Sequence, residues 1–295
     1  MATGPALPSS PEPLPLGALS DPLLVDPGPR LLRAVVEAYR EAAPALVDPS
    51  VAELADGETP LDRSSDLPAL KVFAGEAALD AATAGFRPAS RLAALADGDA
   101  VDLRVLDAPQ PNSVLAGSET GFALIEGRET TEDETRWHRV GDDASLRGRY
   151  ASGFADAEPY RLRTPSRRRA YEGFASRCDE SVAAAVLRAL DAEVESASPE
   201  SSGPDAEETR VRAYAVGARE GVLDRSLRRA CEDAGLGSPS TFTRIKRLLR
   251  EADLIETVSE PQPVGRPRER LAAHGALAAT ETPEETAAAV RGVTE

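Results

Sequence analysis

The chain has 295 residues, enough for two modest domains at the usual ~100 to 200 residues per core. Fifty acidic residues stand against 34 basic ones, a formal net charge of -16, with 41% hydrophobic and 4% aromatic residues. The apolar content argues against a disordered acidic chain, and no apolar run approaches the roughly 20 residues of a bilayer span. Only Lys71 and Lys246 are lysine. Abundant, strongly hydrated carboxylates suit solubility in a very salty cytoplasm, so the global charge describes the solvent more than the partner.

Residues 1–20, "MATGPALPSSPEPLPLGALS", are Pro-rich without a charged start and are expected to form a flexible tail rather than a targeting signal. From Arg30 to Ala43, "RLLRAVVEAYREAA" sets Leu31, Leu32, Val35, Val36 and Tyr39 on one helical stripe, with Pro29 suited to the first turn. "ALVDPS" follows as a brief extended piece. "ALKVFAG" predicts a strand ending at Gly75, residues 76–95 a helix interrupted near Gly85 and Pro88, and "AVDLRVLD" a second strand. Strand, helix and strand at this spacing mark a parallel crossover unit. "NSVLAG" and "GFALIEG" predict a hairpin on the edge of that sheet, followed by a helix over about 143–154. Thr164 as N-cap and Pro165 at the first helical position predict one long helix to about Val194, a candidate dimer contact or strut.

The stretch "ESASPESSGPDA" has no apolar period and predicts a linker. The expected organisation is a tail over 1–20, an α/β regulatory or dimerisation domain over 21–197 and a linker over 198–208. A winged helix-turn-helix over 209–274 and an acidic flexible tail over 275–295 complete it. The fold class is thus an α/β domain, a small parallel or mixed sheet with flanking helices, plus a winged helix-turn-helix.

Three helical patterns follow the linker: "AEETRVRAYAVGAREG", "DRSLRRACEDAG" with Asp224 as N-cap, and "SPSTFTRIKRLLREADLI" with Ser238 as N-cap and Pro239 first in the helix. A short Gly-containing turn joins the last two, the helix-turn-helix arrangement. On the third helix Phe242, Ile245, Leu248 and Leu249 fall on one face and Ser240, Thr243, Arg244 and Arg247 on the other, with Lys246 and Arg250 flanking. Arginines and hydroxyls suit guanine edges and phosphates in a major groove. Between Arg225 and Arg250, seven basic residues meet two acidic ones, a local balance of +5. "LIETVSE" and "RERLA" predict two wing strands, with "PQPVGRP" as the tip and Gly265 able to take positive φ. The expected DNA-binding residues are Ser240, Thr241, Thr243, Arg244, Lys246, Arg247, Arg250, Arg266 and Arg268, with Arg270 structural.

"LGSPSTFTRIKRLLREADLIETVSEPQPVGRPRERL" resembles the C-terminal domain of the haloarchaeal TbsP transcriptional regulators, and "VDPS", "LPALKVFAGEAAL", "VDLRVLDAPQPNSVLAG" and "RLRTP" occur in the order expected of that family, a resemblance over about Asp21 to Leu271. That resemblance implies a DNA-binding regulator of archaeal promoters connected with central sugar metabolism. The Pro-rich start, the "ETTEDETRWHRV" region and the scarcity of lysine depart from the pattern.

The first half is also loosely similar to phospholipase-D-like effector domains, whose catalysis needs His-x-Lys followed by Asp. His138 is followed by Arg139 and Val140, and His274 by Gly275 and Ala276, so hydrolysis is not expected. Two histidines and two cysteines form no zinc pattern. Cys178 and Cys231, assigned to different domains, are expected as reduced thiols. No catalytic residue, metal or cofactor is expected. The leading reading is a cytoplasmic homodimer on double-stranded promoter DNA, with no membrane association and room for an unknown small-molecule effector. The alternative is a small-molecule-binding or enzyme-like α/β protein whose winged helix mediates protein contacts; no nucleophile-base pair or phosphate-cradling glycine loop is found in the first half, and Asp48, Ser50 and Glu76 read as ordinary loop and cap residues.

Overall fold

The computed structural model describes residues 4–9, 12–57, 67–125, 136–141, 145–192, 204–261 and 267–293. Two compact units emerge. The first comprises Met1–Pro49, Glu58–Thr83 and Arg91–Leu162; the second comprises Ser50–Gly57, Ala84–Ser90 and Arg163–Glu295.

The first unit is built on a six-stranded mixed sheet of β3 (Leu23–Val25), β4 (Leu70–Ala74), β5 (Val101–Val105), β6 (Val114–Ala116), β7 (Gly121–Ile125) and β8 (Arg136–Gly141), in the order β5-β4-β3-β6-β7-β8. Strands β3, β4 and β5 are parallel, and β6 joins β3 antiparallel through the register Leu24↔Leu115. The expected crossover and hairpin are both present. The hairpin is interior, however, because β3 pairs with β6 on one side and β8 with β7 on the other. Strand β3 went unpredicted: three residues give no readable period, although all three are buried, and Asp21 and Asp26 bound it with φ of 49 and 50°.

Alternation along the strands sorts the core into two layers. Leu24, Leu70, Val72, Val101, Leu103 and Leu115 pack with α1 (Pro29–Ala42), α4 (Glu76–Ala82) and α5 (Phe86–Asp97), while Leu23, Val25, Phe73 and Val114 meet Phe154 of α6 (Ser145–Asp156). "ALVDPS" is not extended. Pro44–Val47 forms the short helix α2, and Ser50 caps α3 (Val51–Ala55) in a capping box with Glu53. The opening segment is not a free tail either: β1 (Ala6–Leu7) pairs with β2 (Leu14–Pro15), and Leu7 and Leu16 are fully buried.

The second unit is helical. The single long helix expected from Thr164 is two: α7 (Arg167–Arg177), capped by Ser166, and α8 (Glu180–Asp191), capped by Asp179. Asp179 accepts the Val182 amide at 2.8 Å, and this side-chain alternative to the helical ladder breaks the run at Cys178. Helices α9 (Ala206–Arg219), α10 (Asp224–Asp233) and α11 (Pro239–Glu251) follow. The wing strands β9 (Ile255–Glu260) and β10 (Arg268–Ala273) lead to α12 (Gly275–Ala278) and α13 (Pro283–Ala289).

One core joins them all: Tyr171, Phe174, Val186, Leu190, Val211, Tyr214, Phe242, Ile245 and Leu249 pack with Leu271, Leu277, Ala287 and Val290. The unit boundary therefore falls at Leu162/Arg163, well before the expected linker, and residues 275–290 are part of the core rather than a flexible tail. Cys178 and Cys231 lie in this one unit, not in two.

Candidate nucleic-acid interface

Helix α11 starts as its residues dictate. Ser238 caps it, accepting the Thr241 amide at 3.4 Å, and Pro239 occupies the first turn. Phe242, Ile245 and Leu249 are buried and Leu248 is half-buried, so the opposite face is presented outward. Asp224 is not the cap of α10. Leu223 holds that position, and the Asp224 carboxylate turns inward.

The expected DNA contacts separate into distinct environments. Ser240, Thr243, Arg247 and Arg250 are exposed, and Thr243, Lys246, Arg247, Arg250 and Glu251 line a recess of ≈ 550 Å³. Among the described residues Arg247 pairs with Glu251 alone, one turn on, at 3.7 Å, and its side chain is 68% exposed. Thr241 is half-buried with its hydroxyl 3.1 Å from that of Ser238, and Thr243 donates to the Pro239 carbonyl at 3.0 Å. Arg244 pairs with Glu207 of α9 at 2.7 Å, and this hydrogen bond holds the Glu207 carboxyl below its usual range.

Lys246 differs from the others: its side chain is 15% exposed, and the ammonium lies 2.6 Å from Glu269 and 3.4 Å from Asp224. Two carboxylates occupy it internally. The sequence reading set it on the flank of the reading face as a DNA contact; periodicity reports direction and not length, and a long side chain can fold back along its helix.

The wing pairs as expected, with Arg268↔Glu260 and Leu271↔Thr257 in register. Arg268 is exposed; Arg266 lies outside the described residues. Arg270 donates to the Gly221 carbonyl and to Glu260 at 3.1 Å, so it ties the wing to the segment between α9 and α10. Its expected structural role agrees with these contacts.

Arg225 and Arg229 were counted in the local charge but left out of the expected contacts. Both are exposed on α10, and among the described residues neither makes an ion pair. The same holds for Arg250 and Arg268. The four-residue spacing of Arg225 and Arg229 on α10 was the available signal.

Residues 24–165 match the family model "Transcriptional regulator TbsP-like, N-terminal", and residues 166–291 match "Transcriptional regulator TbsP-like, C-terminal HTH domain". The chain belongs to the TbsP-like transcriptional regulators. The two matches meet at 165/166, close to the structural division of this TbsP-like regulator at Leu162/Arg163. No curated protein and no solved structure matches the chain. Among the described residues of the regulator, no helix is long and apolar enough to cross a membrane, and no group of three or more His, Cys, Asp and Glu is placed to hold a metal ion.

Proposed function

We propose that this TbsP-like regulator is a cytoplasmic, sequence-specific reader of duplex promoter DNA, acting as a homodimer on half-sites about one helical turn apart. The α/β unit then serves dimerisation or the sensing of a small molecule, and the connection to central sugar metabolism rests on the family resemblance. One observation carries the reading: in a chain of net charge -16, α10, α11 and the wing carry exposed Arg225, Arg229, Arg250 and Arg268, for which the described residues supply no carboxylate partner. Arg247, Arg244, Thr243 and Ser240 take the base edges. Arg225, Arg229, Arg250 and Arg268 take phosphates, joined by Arg266 at the tip. Lys246 and Arg270 hold the scaffold.

Molar salt removes most of the free energy available from counterion release, so short-range base and shape contacts carry the affinity. Selection from random duplex DNA in concentrated KCl tests this. An enriched, two-fold symmetric site supports the proposal; a pool without enrichment overturns it.

A further inference from the structure

We propose that Asp224 is a positioning residue for DNA reading, a single buried carboxylate that sets how α11 and the wing stand relative to each other. The inference rests on the reading function proposed above and deepens it.

The Asp224 side chain is 4% exposed at the start of α10. One carboxylate oxygen accepts the Tyr214 hydroxyl of α9. The other accepts Arg228 Nη2 at 2.7 Å and lies 3.4 Å from Lys246 Nζ of α11. Each cation then reaches outward. Arg228 Nη1 donates to Thr243 Oγ1 at 3.4 Å on the reading face, and Lys246 Nζ donates to Glu269 Oε2 at 2.6 Å on β10. Glu269 shares its strand face with Leu271, the fully buried anchor of the wing, two residues along. Groups from three helices therefore meet at one carboxylate, and a wing strand is joined to it through Lys246.

A purely stabilising role fits poorly. Burying a charge costs several kcal/mol before partners repay it, and well-packed apolar residues commonly do as well or better. What apolar packing lacks is direction: ionic hydrogen bonds fix angles, and a groove reader must place its arginines to within a fraction of an ångström. Burial first, and then the neighbouring Asp224, push the Tyr214 phenol far above its ordinary value, so its hydroxyl stays a donor at any working pH.

The full chain is compared with Asp224→Asn, Lys246→Met, Glu269→Gln and the Lys246/Glu269 double variant. Binding is measured in concentrated KCl on the site selected by the wild-type chain and on a scrambled duplex. Amide hydrogen exchange is followed without DNA over β9, β10 and α9. Asp224→Asn is expected to lose about tenfold on the selected site, the size of one base contact, with little change on the scrambled one. Wing exchange should accelerate while α9 stays protected, and the double variant should go no further than either single change. Equal losses on both duplexes, unchanged wing protection, or additive Lys246 and Glu269 effects each overturn the proposal. Should Asp224→Asn fail to fold, Lys246→Met and the exposed Glu269→Gln decide by the same exchange measurement. A wild-type chain that selects no site defeats the DNA reading, whereas the exchange arm still decides the coupling.

Discussion

Gly173 of α7 meets Ala234, just beyond α10, so closely that a Cβ on the glycine would lie 2.6 Å from the Ala234 nitrogen and 2.7 Å from its Cα. Those neighbours are backbone and cannot swing aside. Gly173→Ala is therefore expected to destabilise the second unit by about 1 to 3 kcal/mol, through forced separation of two helices, read as a lower denaturant midpoint. An unchanged midpoint would mean that α7 is not packed on the helix-turn-helix as described.

The arginines divide by environment, and so should their mutants. Arg247→Ala is expected to cost about 1 to 3 kcal/mol on the selected site and little on scrambled DNA. Arg225→Ala and Arg229→Ala should weaken both duplexes alike and reduce the slope of log affinity against log salt by about 1 each. Gel shifts over a KCl series measure both quantities. Parallel losses for all three variants would remove the distinction between base and phosphate contacts.

Arg244 is paired with Glu207, so on the proposed reading DNA has to displace this carboxylate. The Glu207 carboxyl titrates below the usual range because of the hydrogen bond from Arg244, so the pair favours the folded state at neutral pH, above the unfolded pKa, and that contribution is lost as pH falls through the folded value. Any stability difference between the parent and Glu207→Gln should thus be largest at neutral pH and close on acidification. The variant should also bind every duplex more tightly, having lost a negative charge beside the groove, and fluorescence anisotropy at fixed KCl checks this.

Neither thiol should act as a nucleophile in the folded chain. Burial, with Asp179 nearby, pushes Cys178 up to about 11, and burial raises the fully enclosed Cys231 well above its ordinary value. Alkylation at pH 8 should be slow for both and become fast only in denaturant. Rapid labelling of Cys231 without denaturant would show that the core opens locally.

Leu277 of α12 is fully buried in the core that supports the reader helix. Leu277→Ala is expected to cost about 2 to 5 kcal/mol, the range for emptying a packed leucine site. Thermal unfolding followed by circular dichroism provides the measurement.

Much of this was legible from residue pattern alone. Ser238-Pro239 located the start of α11, and Phe242, Ile245 and Leu249 identified its buried face by period. "LKVFA" and "VDLRV" delivered two of the parallel strands. What failed did so for identifiable reasons. Pro-rich and acidic compositions suggested tails at both ends, yet Leu7, Leu16, Leu277 and Val290 are buried, in segments whose apolar residues show no readable period. Asp224 looked like a cap because Asp usually is one at that place; only the tertiary arrival of Tyr214, Arg228 and Lys246 turns its carboxylate inward. The internal pairing of Lys246 was hidden from local pattern in the same way, its second carboxylate lying on β10, 23 positions away.

The contribution of α12 and α13 to the core also sets an order of events during synthesis. A nascent chain that has emerged only as far as Ala273 already holds the reader helix and both wing strands, but lacks Leu277, Ala287 and Val290, which seal the same apolar interior. Until residues 275–290 leave the ribosome, that interior faces solvent. On the proposed reading, groove-reading competence is thus deferred until residues 275–290 have joined the core, and shorter products are expected to be more open to proteolysis.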